Sequence, residues 1–493
     1  MLHPTTRAMK TDGVIDGGYY RRHKPEQTLL YQIVEQHLPA FKRHLSEAGI
    51  SLPAFVHREF DNYLHCGLLE HGFLRVKCNG CRFEHLVAFS CKGRGLCPSC
   101  GARRMVESAA HLIDNVLPAV PVRQWVLSFP WPLRLLFARR PDVLSDCIAI
   151  INRAIETQLI HRAGLTRTRG ARSGIVTLVQ RFGSALNLNI HLHILALEGA
   201  YSFDEPGNPR FHQVTAPTPR ELATLLDRII QRLVAKLQRD GLLVADPSQQ
   251  QRWLDDSDTT AMDGINASSL RYRIAIGPHS GNRTMTLRNP ALARADSPSK
   301  PFTSSRDGFS LNAAVVCLPQ QRQRLERLCR YVTRGAGCLD RLSINGNHQI
   351  QYELKHPFAD GTTAVLFSPL DFLAKLAALV PPPRHHLVRY HGVLAPNHKY
   401  RAAIVPGTAG ARKQQRHHGA QKPTTATRAS GLTWAERLRR VFNIDISTCP
   451  HCGGKLRIIA DVTNPDVIEK ILKHIAARAP PTFSTLPASD LPF

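Results

Sequence analysis

His191 and His193 are the residues whose type and spacing most clearly predict chemistry. They lie in the segment LNLNIHLHIL, residues 186–195, in which polar and apolar side chains alternate. On a β-strand this alternation places Asn187, Asn189 and both histidines on one face and the aliphatic side chains on the other. Two imidazoles on one strand face can bind a single cation, and with an oxygen or nitrogen ligand beside them they suit Mg²⁺, Mn²⁺ or Zn²⁺.

The third ligand of such a cation cannot be read from the spacing. Gln180, on the preceding predicted strand, is the first candidate, and Glu198 is the second. A single histidine is usually an ordinary packed or surface side chain. Two on one strand face, with Asn189 beside them, are more typical of ligands.

Tyr331 is the candidate nucleophile. It lies near the C-terminal end of a basic helical segment, RLERLCRYVTR. Positive charges around it would bring a phosphate to the hydroxyl group and favour the reactive phenolate. The alternative is a packed core tyrosine, because Leu325 and Leu328 share its helical stripe. The surrounding arginines are Arg324, Arg327, Arg330 and Arg334.

Two CxxC pairs in the N-terminal part of the chain predict a structural zinc site. They are Cys78 with Cys81 and Cys97 with Cys100, separated by fifteen residues. Each pair offers two thiolates on a tight turn, and together they would complete a closed tetrahedral site. His85 and Cys91 lie between the pairs, and either could replace a ligand.

Basic residues near these cysteines predict contact with the DNA backbone. The alternative is a zinc clip that only stabilises the fold. The basic residues are Lys92, Arg94, Arg103 and Arg104.

A third CxxC, formed by Cys449 and Cys452, resembles half of a second zinc site. No further CxxC follows it in the sequence. A turn without a cation is the alternative. The candidate completing ligands are His451, His474, or His417 and His418.

Regular elements must hold these side chains in place. Strands are predicted at residues 122–129 and 174–182, and the second should pair antiparallel with the histidine strand. A helix should begin at Thr218, where Glu221 completes a capping box, and a second should run from Pro319 to about Val332. Asn345-Gly346 and Asp360-Gly361 predict β-hairpin turns.

The charge of the chain indicates its partner. Its 493 residues include 64 Lys and Arg against 38 Asp and Glu, a net charge of +26. This surplus favours a polyanion, with nucleic acid the leading candidate. We expect no secretory signal and no membrane span. We therefore expect a cytoplasmic protein, associated with the bacterial nucleoid. Its twelve cysteines should then be metal ligands or buried thiols.

These observations predict five regions along the chain. A helical and basic segment at 1–66 precedes a zinc-binding domain at 67–110. A catalytic domain at 111–405 contains a polar insertion at 244–308. A basic linker at 406–432 leads to a C-terminal CxxC module at 433–493.

Several segments together resemble the IS91-type rolling-circle transposases and their insertion-sequence-common-region (ISCR) relatives, which belong to the HUH endonucleases. The segments are AFSCKGRGLCPSCGARRM, QRFGSALNLNIHLHILALEGAY, RLERLCRYVTR, PPPRHHLVRYHGVLAPN and CPHCGG. The resemblance extends over nearly the whole chain.

The resemblance implies an α+β fold, with an antiparallel ferredoxin-like palm and helices on one face, preceded by a zinc-binding domain and followed by a small CxxC tail. It implies that His191 and His193 bind a catalytic Mg²⁺ or Mn²⁺, that structural Zn²⁺ is present, and that Tyr331 forms a 5′-phosphotyrosine link with single-stranded DNA. Members of the two-tyrosine branch have another tyrosine where this chain has Arg327, so the chain resembles the single-tyrosine branch.

Two other functions fit part of the sequence. A plasmid replication initiator or a relaxase would share the histidine pair and the tyrosine, although the flanking cysteine segments favour a transposase. A non-catalytic zinc-dependent DNA-binding protein would have no need of the histidine pair. Tyr352 and Tyr390 remain alternative nucleophiles.

Overall fold

The computed structural model describes residues 24–81, 83–205, 208–245, 251–253, 260–293, 301–336, 339–406 and 447–478. Nearly all of the predicted basic linker, together with His417 and His418, lies outside these ranges. The chain divides into two compact units. The first unit comprises Met1–Thr28, Leu64–Cys91 and Leu438–Phe493, and the second comprises Leu29–Tyr63 and Lys92–Arg437.

The bounds of the helices and strands are as follows. The helices are α1 Leu29–Glu47, α2 Ala54–His65, α3 Pro98–Asn115, α4 Trp131–Arg139, α5 Pro141–Arg162, α6 Pro219–Arg239, α7 Ala261–Leu270, α8 Arg322–Thr333, α9 Pro369–Leu379, α10 Arg401–Ile404 and α11 Pro465–Arg478. The strands are β1 Phe73–Cys78, β2 Glu84–Ala88, β3 Val122–Ser128, β4 Gly174–Phe182, β5 Leu188–Leu197, β6 Gly199–Glu205, β7 Asn208–Gln213, β8 Leu243–Ala245, β9 Gln251–Trp253, β10 Met285–Arg288, β11 Thr303–Arg306, β12 Phe309–Cys317, β13 Leu342–Ile344, β14 Ile350–Glu353, β15 Thr362–Phe367, β16 Val388–Gly392 and β17 Leu456–Val462.

The first unit is built on a sheet with the order β17-β1-β2. Strand β1 pairs antiparallel with β2 and also with β17, which comes from the C-terminal module. Phe73, Val462 and Ile468 form its small apolar core, so strand β17 and helix α11 pack with β1. The unit therefore joins part of the predicted zinc-binding domain to part of the predicted C-terminal module.

The second unit is built on a six-stranded sheet with the order β11-β12-β3-β5-β4-β16. Every neighbouring pair in this sheet is antiparallel. The predicted pairing of β4 with β5 is confirmed, and β3 flanks β5 on its other side. The mixture of helices with an antiparallel sheet confirms the predicted α+β class.

Helices cover both faces of this sheet rather than the single face that was expected. On one face, Leu325 and Val332 of α8 and Leu112 of α3 pack with Val176 and Leu178 of β4. On the other face, Asn152 of α5 accepts a 2.7 Å hydrogen bond from Thr177. Because neighbouring residues of a strand point to opposite faces, the apolar positions of β4 on both sides require cover.

The predicted helix ends are partly confirmed. Helix α6 has the capping box of Thr218 and Glu221, and turns at Asn345-Gly346 and Asp360-Gly361 join paired strands. Helix α8 begins at Arg322, three residues later than expected. The Gln321 amide donates to the Leu318 carbonyl, and the Gln321 side chain accepts a hydrogen bond from the Leu318 amide, so Pro319 lies in a turn before the helix.

None of the helices in the described ranges is both long enough and apolar enough to cross a membrane.

Candidate active site

His191 and His193 lie in β5, an inner strand of the six-stranded sheet, between β3 and β4. His191 is paired with Ser128 of β3 and with Gln180 of β4. The centroids of the two imidazole rings are 5.0 Å apart. The alternation of the sequence therefore predicts the face of both histidines correctly.

The proton of the His191 imidazole is positioned by the backbone. Its Nδ1 lies 2.8 Å from the carbonyl oxygen of Asn189, an atom that can only accept a hydrogen bond. Nδ1 therefore carries the proton, and Nε2 keeps a free lone pair. This is the arrangement that orients a histidine as a metal ligand.

His193 lies between two glutamine side chains. Its Nδ1 is 2.8 Å from Nε2 of Gln124 on β3, and its Nε2 is 3.3 Å from Oε1 of Gln180 on β4. The side chain is only 3% exposed. Gln124 is absent from the sequence prediction, although it is one of few polar side chains in the apolar segment VRQWVLSF.

Both imidazoles are held in the neutral form. Burial, together with the charges of His191 and Arg334, lowers the pKa of His193 to about 3. Burial also lowers the pKa of His191, and the guanidinium groups of Arg134 and Arg334 act in the same direction. Because only a neutral imidazole has a lone pair to donate, this environment favours coordination of a cation.

The two candidate third ligands have different surroundings. Gln180 faces His193, and its own Nε2 is buried without a hydrogen-bond partner among the described residues. The Glu198 carboxylate instead accepts a 2.6 Å hydrogen bond from Nε of Arg123 in a buried ion pair. Glu198 follows the far end of β5, about 20 Å along the strand from His191. The geometry therefore favours Gln180.

Tyr331 lies on α8, over the same face of the sheet. Its ring centroid is 5.8 Å from that of His193, with the rings nearly perpendicular. The side chain is 45% exposed, unlike its helical neighbours Leu325, Cys329 and Val332, which are buried. Tyr331 is therefore accessible at the edge of the histidine pair and is not a core residue.

The four arginines predicted around Tyr331 have different positions. The guanidinium carbon of Arg334 lies 4.4 Å from the centre of the Tyr331 ring. Arg330 is half-buried, while Arg324 and Arg327 are exposed. Arg322, which the sequence prediction did not select, donates to the carbonyl oxygens of Ile113, Leu117 and Pro118. It fastens the start of α8 to the chain that follows α3.

The other two candidate tyrosines are less suitable nucleophiles. Tyr352 is 1% exposed, on β14. Tyr390 packs against the apolar core beside α3 and α8, and burial raises its pKa.

The four-thiol cluster of the first unit differs from the predicted zinc site. Cys78 and Cys81 meet Cys449 and Cys452, and their four sulfur atoms lie within 4.8 Å of one another. The expectation that Cys97 and Cys100 complete this set is wrong. The reason is the pairing of β1 with β17, which places the C-terminal CxxC turn beside the N-terminal one. The candidate ligands His451 and His474 are not needed, because the four thiols already form a complete set.

The distances within this cluster fit a zinc ion. The sulfur atoms of Cys78 and Cys452 are 3.4 Å apart, and those of Cys81 and Cys449 are 3.7 Å apart. Tetrahedral zinc with bonds of about 2.3 Å separates its sulfur ligands by about 3.8 Å. The amides of Gly80 and Gly454 donate to Cys78 and Cys452, as expected for thiolates. Although burial opposes it, the Gly80 and Cys452 hydrogen bonds lower the pKa of Cys78 to about 7.

Two further cysteine pairs are present. In the first unit, the amide of Cys91 donates to the sulfur of Cys66 at 3.2 Å. In the second unit, Cys97 caps the start of α3 and accepts a hydrogen bond from the amide of Cys100.

Two families match the chain. Residues 33–129 match the family described as "Transposase zinc-binding domain", and residues 174–401 match the family described as "Putative transposase". The second match contains both histidines, Gln180 and Tyr331. The chain belongs to the IS91-type transposases. The curated proteins and the solved structures contained no match.

Six cysteines of this transposase lie inside its matched zinc-binding domain, and the four-thiol cluster supports a structural zinc. A transposase acts on DNA, so the basic character of the chain has an evident partner. The other two thiols of the cluster, those of Cys449 and Cys452, follow residue 401 and therefore lie outside both matched ranges.

The basic residues beside Cys97 have partners within the second unit. Arg94 donates to the carbonyl oxygens of His385 and Pro382, and Arg104 donates to that of Lys92. Arg103 forms an ion pair with Glu107 on the next turn of α3. The Arg94 side chain therefore stabilises the fold. Lys92 and Arg104 are exposed on the surface of the transposase.

Proposed function

We propose that the transposase cleaves and rejoins single-stranded DNA at the ends of its element through a covalent bond to Tyr331. The observation that carries the proposal is the position of the exposed Tyr331 ring, 5.8 Å from the buried His193 ring. A nucleophile and a pair of potential metal ligands at this separation can act on the same phosphate group.

The donor atoms fit a divalent cation. The lone pair of His191 Nε2 is free, His193 is neutral, and Oε1 of Gln180 lies 3.3 Å from Nε2 of His193. Oδ1 of Asn189 is a further buried acceptor that receives no hydrogen bond from the described residues. A Mg²⁺ or Mn²⁺ ion bound by these side chains would withdraw negative charge from the scissile phosphate.

Gln124 is the positioning residue of this group. As placed, Nε2 of Gln124 donates to Nδ1 of His193, which leaves the ring proton on Nε2, facing Oε1 of Gln180. With its amide turned over, Gln124 would accept a proton from Nδ1 and leave the Nε2 lone pair for a cation.

The reaction conserves the phosphodiester bond energy. The phenolate oxygen of Tyr331 attacks phosphorus, the bond from phosphorus to the 3′ oxygen breaks, and that oxygen takes up a proton. DNA then carries a free 3′-OH on one side and a 5′-phosphotyrosine on the other. The free 3′-OH primes replication, and attack by another 3′-OH releases Tyr331 without a nucleotide cofactor.

The guanidinium groups beside the site would attract the negatively charged phosphate of the substrate. Arg334 lies against the Tyr331 ring, and Arg134 and Arg334 both act on His191. They would hold the phosphate oxygens and stabilise the phenolate.

The test is formation of a covalent adduct. Full-length protein is incubated with labelled single-stranded element-end DNA and Mn²⁺, and the adduct is separated under denaturing conditions. We expect an adduct with the wild type and with Tyr390→Phe, a matched loss of one hydroxyl, and at least a thousandfold less with Tyr331→Phe. An adduct on Tyr331→Phe would show that the nucleophile is wrong. Tight binding without any adduct would favour a non-catalytic DNA-binding protein.

A further inference from the structure

An exposed tryptophan follows the strand that borders the histidine pair. Ser128, the last residue of β3, is paired with His191, and the chain then turns through Phe129 and Pro130 into α4. Helix α4 begins with Trp131, which is 47% exposed. By contrast, Trp125 in the middle of β3 is 2% exposed and belongs to the core. Nearly half of this indole is therefore open to solvent, whereas the indole of Trp125 is enclosed.

A guanidinium group holds the indole in place. The guanidinium carbon of Arg271, which follows α7, lies 4.1 Å from the centre of the Trp131 ring. Helices α4 and α7 are fixed to each other by the ion pair of Arg139 with Asp263, 3.0 Å long. Asp263 also accepts hydrogen bonds from Thr260 at the start of α7. The indole and the guanidinium therefore belong to one rigid surface.

The residue after Arg271 extends the same surface. Tyr272 is 40% exposed and has a φ of 55°, a left-handed conformation that a tyrosine rarely adopts. Its carbonyl oxygen accepts a hydrogen bond from the amide of Thr284, and its ring meets Phe358 edge to face. The hydrogen bond and the ring contact hold this exposed ring in one position.

Arg134 connects this surface to the histidines. Its Nε donates to the carbonyl oxygen of Phe129, so it is fixed at the end of β3. Phe129 directly follows Ser128, the residue paired with His191, and Arg134 and Trp131 belong to the same helix. The aromatic surface therefore adjoins the end of β3 that borders the candidate active site.

We infer that Trp131, Arg271 and Tyr272 form a stacking surface for the bases of single-stranded DNA next to the scissile phosphate. The inference rests on the proposed function, and it names the part of the transposase that binds the strand rather than the part that cuts it. Aromatic rings and guanidinium planes stack on unpaired bases of any sequence, and the neighbouring positive charges attract the backbone. Paired bases in a duplex do not expose their faces, so the surface selects single strands.

Binding is measured with full-length protein carrying Tyr331→Phe, so that no cleavage occurs. The probe is a fluorescent oligo(dT), and the readout is anisotropy. We expect Trp131→Ala to weaken binding about tenfold or more, as the loss of one stacked base predicts. An oligomer of equal charge that carries abasic sites should bind the Trp131→Ala protein and its parent equally well.

Phe302→Ala is the matched control. Phe302 is also exposed and left-handed, and Arg123 lies 5.9 Å from its ring, but it is near the opposite end of β3. We expect Phe302→Ala to leave the affinity unchanged. Trp131→Phe should keep most of the affinity while removing the quenching of tryptophan fluorescence by oligo(dT). Misfolding would not produce this combination, because a misfolded protein would lose the affinity as well.

The outcomes separate the two proposals. Equal affinities of Trp131→Ala, Phe302→Ala and the parent for oligo(dT) would overturn the stacking surface, even if Tyr331 forms its adduct. A loss of affinity for the abasic probe as large as that for oligo(dT) would also overturn it. Weakened binding specific to bases, in a protein that never forms an adduct, would support the surface and contradict the cleavage proposal.

Discussion

At the scale of single residues, the protonation of His191 is set by one backbone atom. The Asn189 carbonyl accepts a hydrogen bond from Nδ1, which therefore keeps the ring proton, and burial keeps both imidazoles neutral. A strand that carried the histidines without this carbonyl contact would leave the tautomer undetermined.

We predict that Gln180→Ala weakens Mn²⁺ binding about tenfold or more, because it removes an amide oxygen directed at His193. The measurement is electron paramagnetic resonance of free Mn²⁺ during titration of the full-length protein. Glu198→Gln is the comparison, since Glu198 is paired with Arg123. Its Mn²⁺ affinity should equal that of the wild type, although its stability should fall. The reverse ranking would assign Glu198 as the ligand.

A second residue-scale prediction concerns His385, whose side chain is buried. Burial, together with the charges of Arg389, Arg181 and Arg94, lowers its pKa to about 4. The unfolded chain binds the proton below its ordinary pKa of about 6.5, whereas the folded chain does so only below about 4. Stability is therefore complete above pH 7 and falls as the pH decreases through this window.

The expected loss between pH 7 and pH 5 is about 2 kcal/mol from this group. His385→Gln, which does not titrate, should lose less stability over the same interval by about that amount. Urea unfolding of both proteins at pH 7 and pH 5 measures the difference. Identical pH slopes would mean that His385 is protonated equally in the folded and unfolded states.

At the scale of elements, strand pairing explains the ligand set of the four-thiol cluster. The register of β1 with β17 places Cys78 opposite Leu456, just after the CxxC turn of Cys449 and Cys452. Cys78 and Cys452 are 374 positions apart in the sequence. Gly454 lies so close to the sulfur atoms of Cys78 and Cys452 that a Cβ atom there would be 3.0 to 3.2 Å from them.

We therefore predict that Cys449→Ser and Cys78→Ser lose the same amount of zinc per chain, because each removes one of four ligands. Zinc content after dialysis is measured by mass spectrometry. Cys147→Ser is the control, since Cys147 is a buried thiol on α5 whose pKa burial raises to about 12. Wild-type zinc content in Cys449→Ser would contradict the ligand set.

At the scale of the whole molecule, buried and half-buried acids are paired with basic side chains, so they are not available to repel a polyanion. Glu198 is held by Arg123 and Asp263 by Arg139, while Glu156 is held by His391 and Arg167. The negative charges of these carboxylates are therefore balanced by neighbouring basic side chains within the fold. The surplus of +26 is left for a polyanion.

The sequence by itself determined the elements and the faces of their side chains. Alternation of polar and apolar residues placed His191 and His193 on one face of β5, and the capping box of Thr218 marked the start of α6. These signals are local, because the period of a strand or the cap of a helix is written within a few residues. The family segments likewise indicated a transposase with a zinc-binding domain.

The tertiary structure alone decided which distant residues meet. It placed Gln124 of β3 against His193, paired Cys78 with the C-terminal thiols, and exposed Trp131, after the end of β3, rather than Trp125 within it. None of these contacts has a local signal, because β3, β17 and α4 could each pack in several places that satisfy the same hydrophobic pattern. Strand order and register select one of them, and those depend on the burial of the whole sheet.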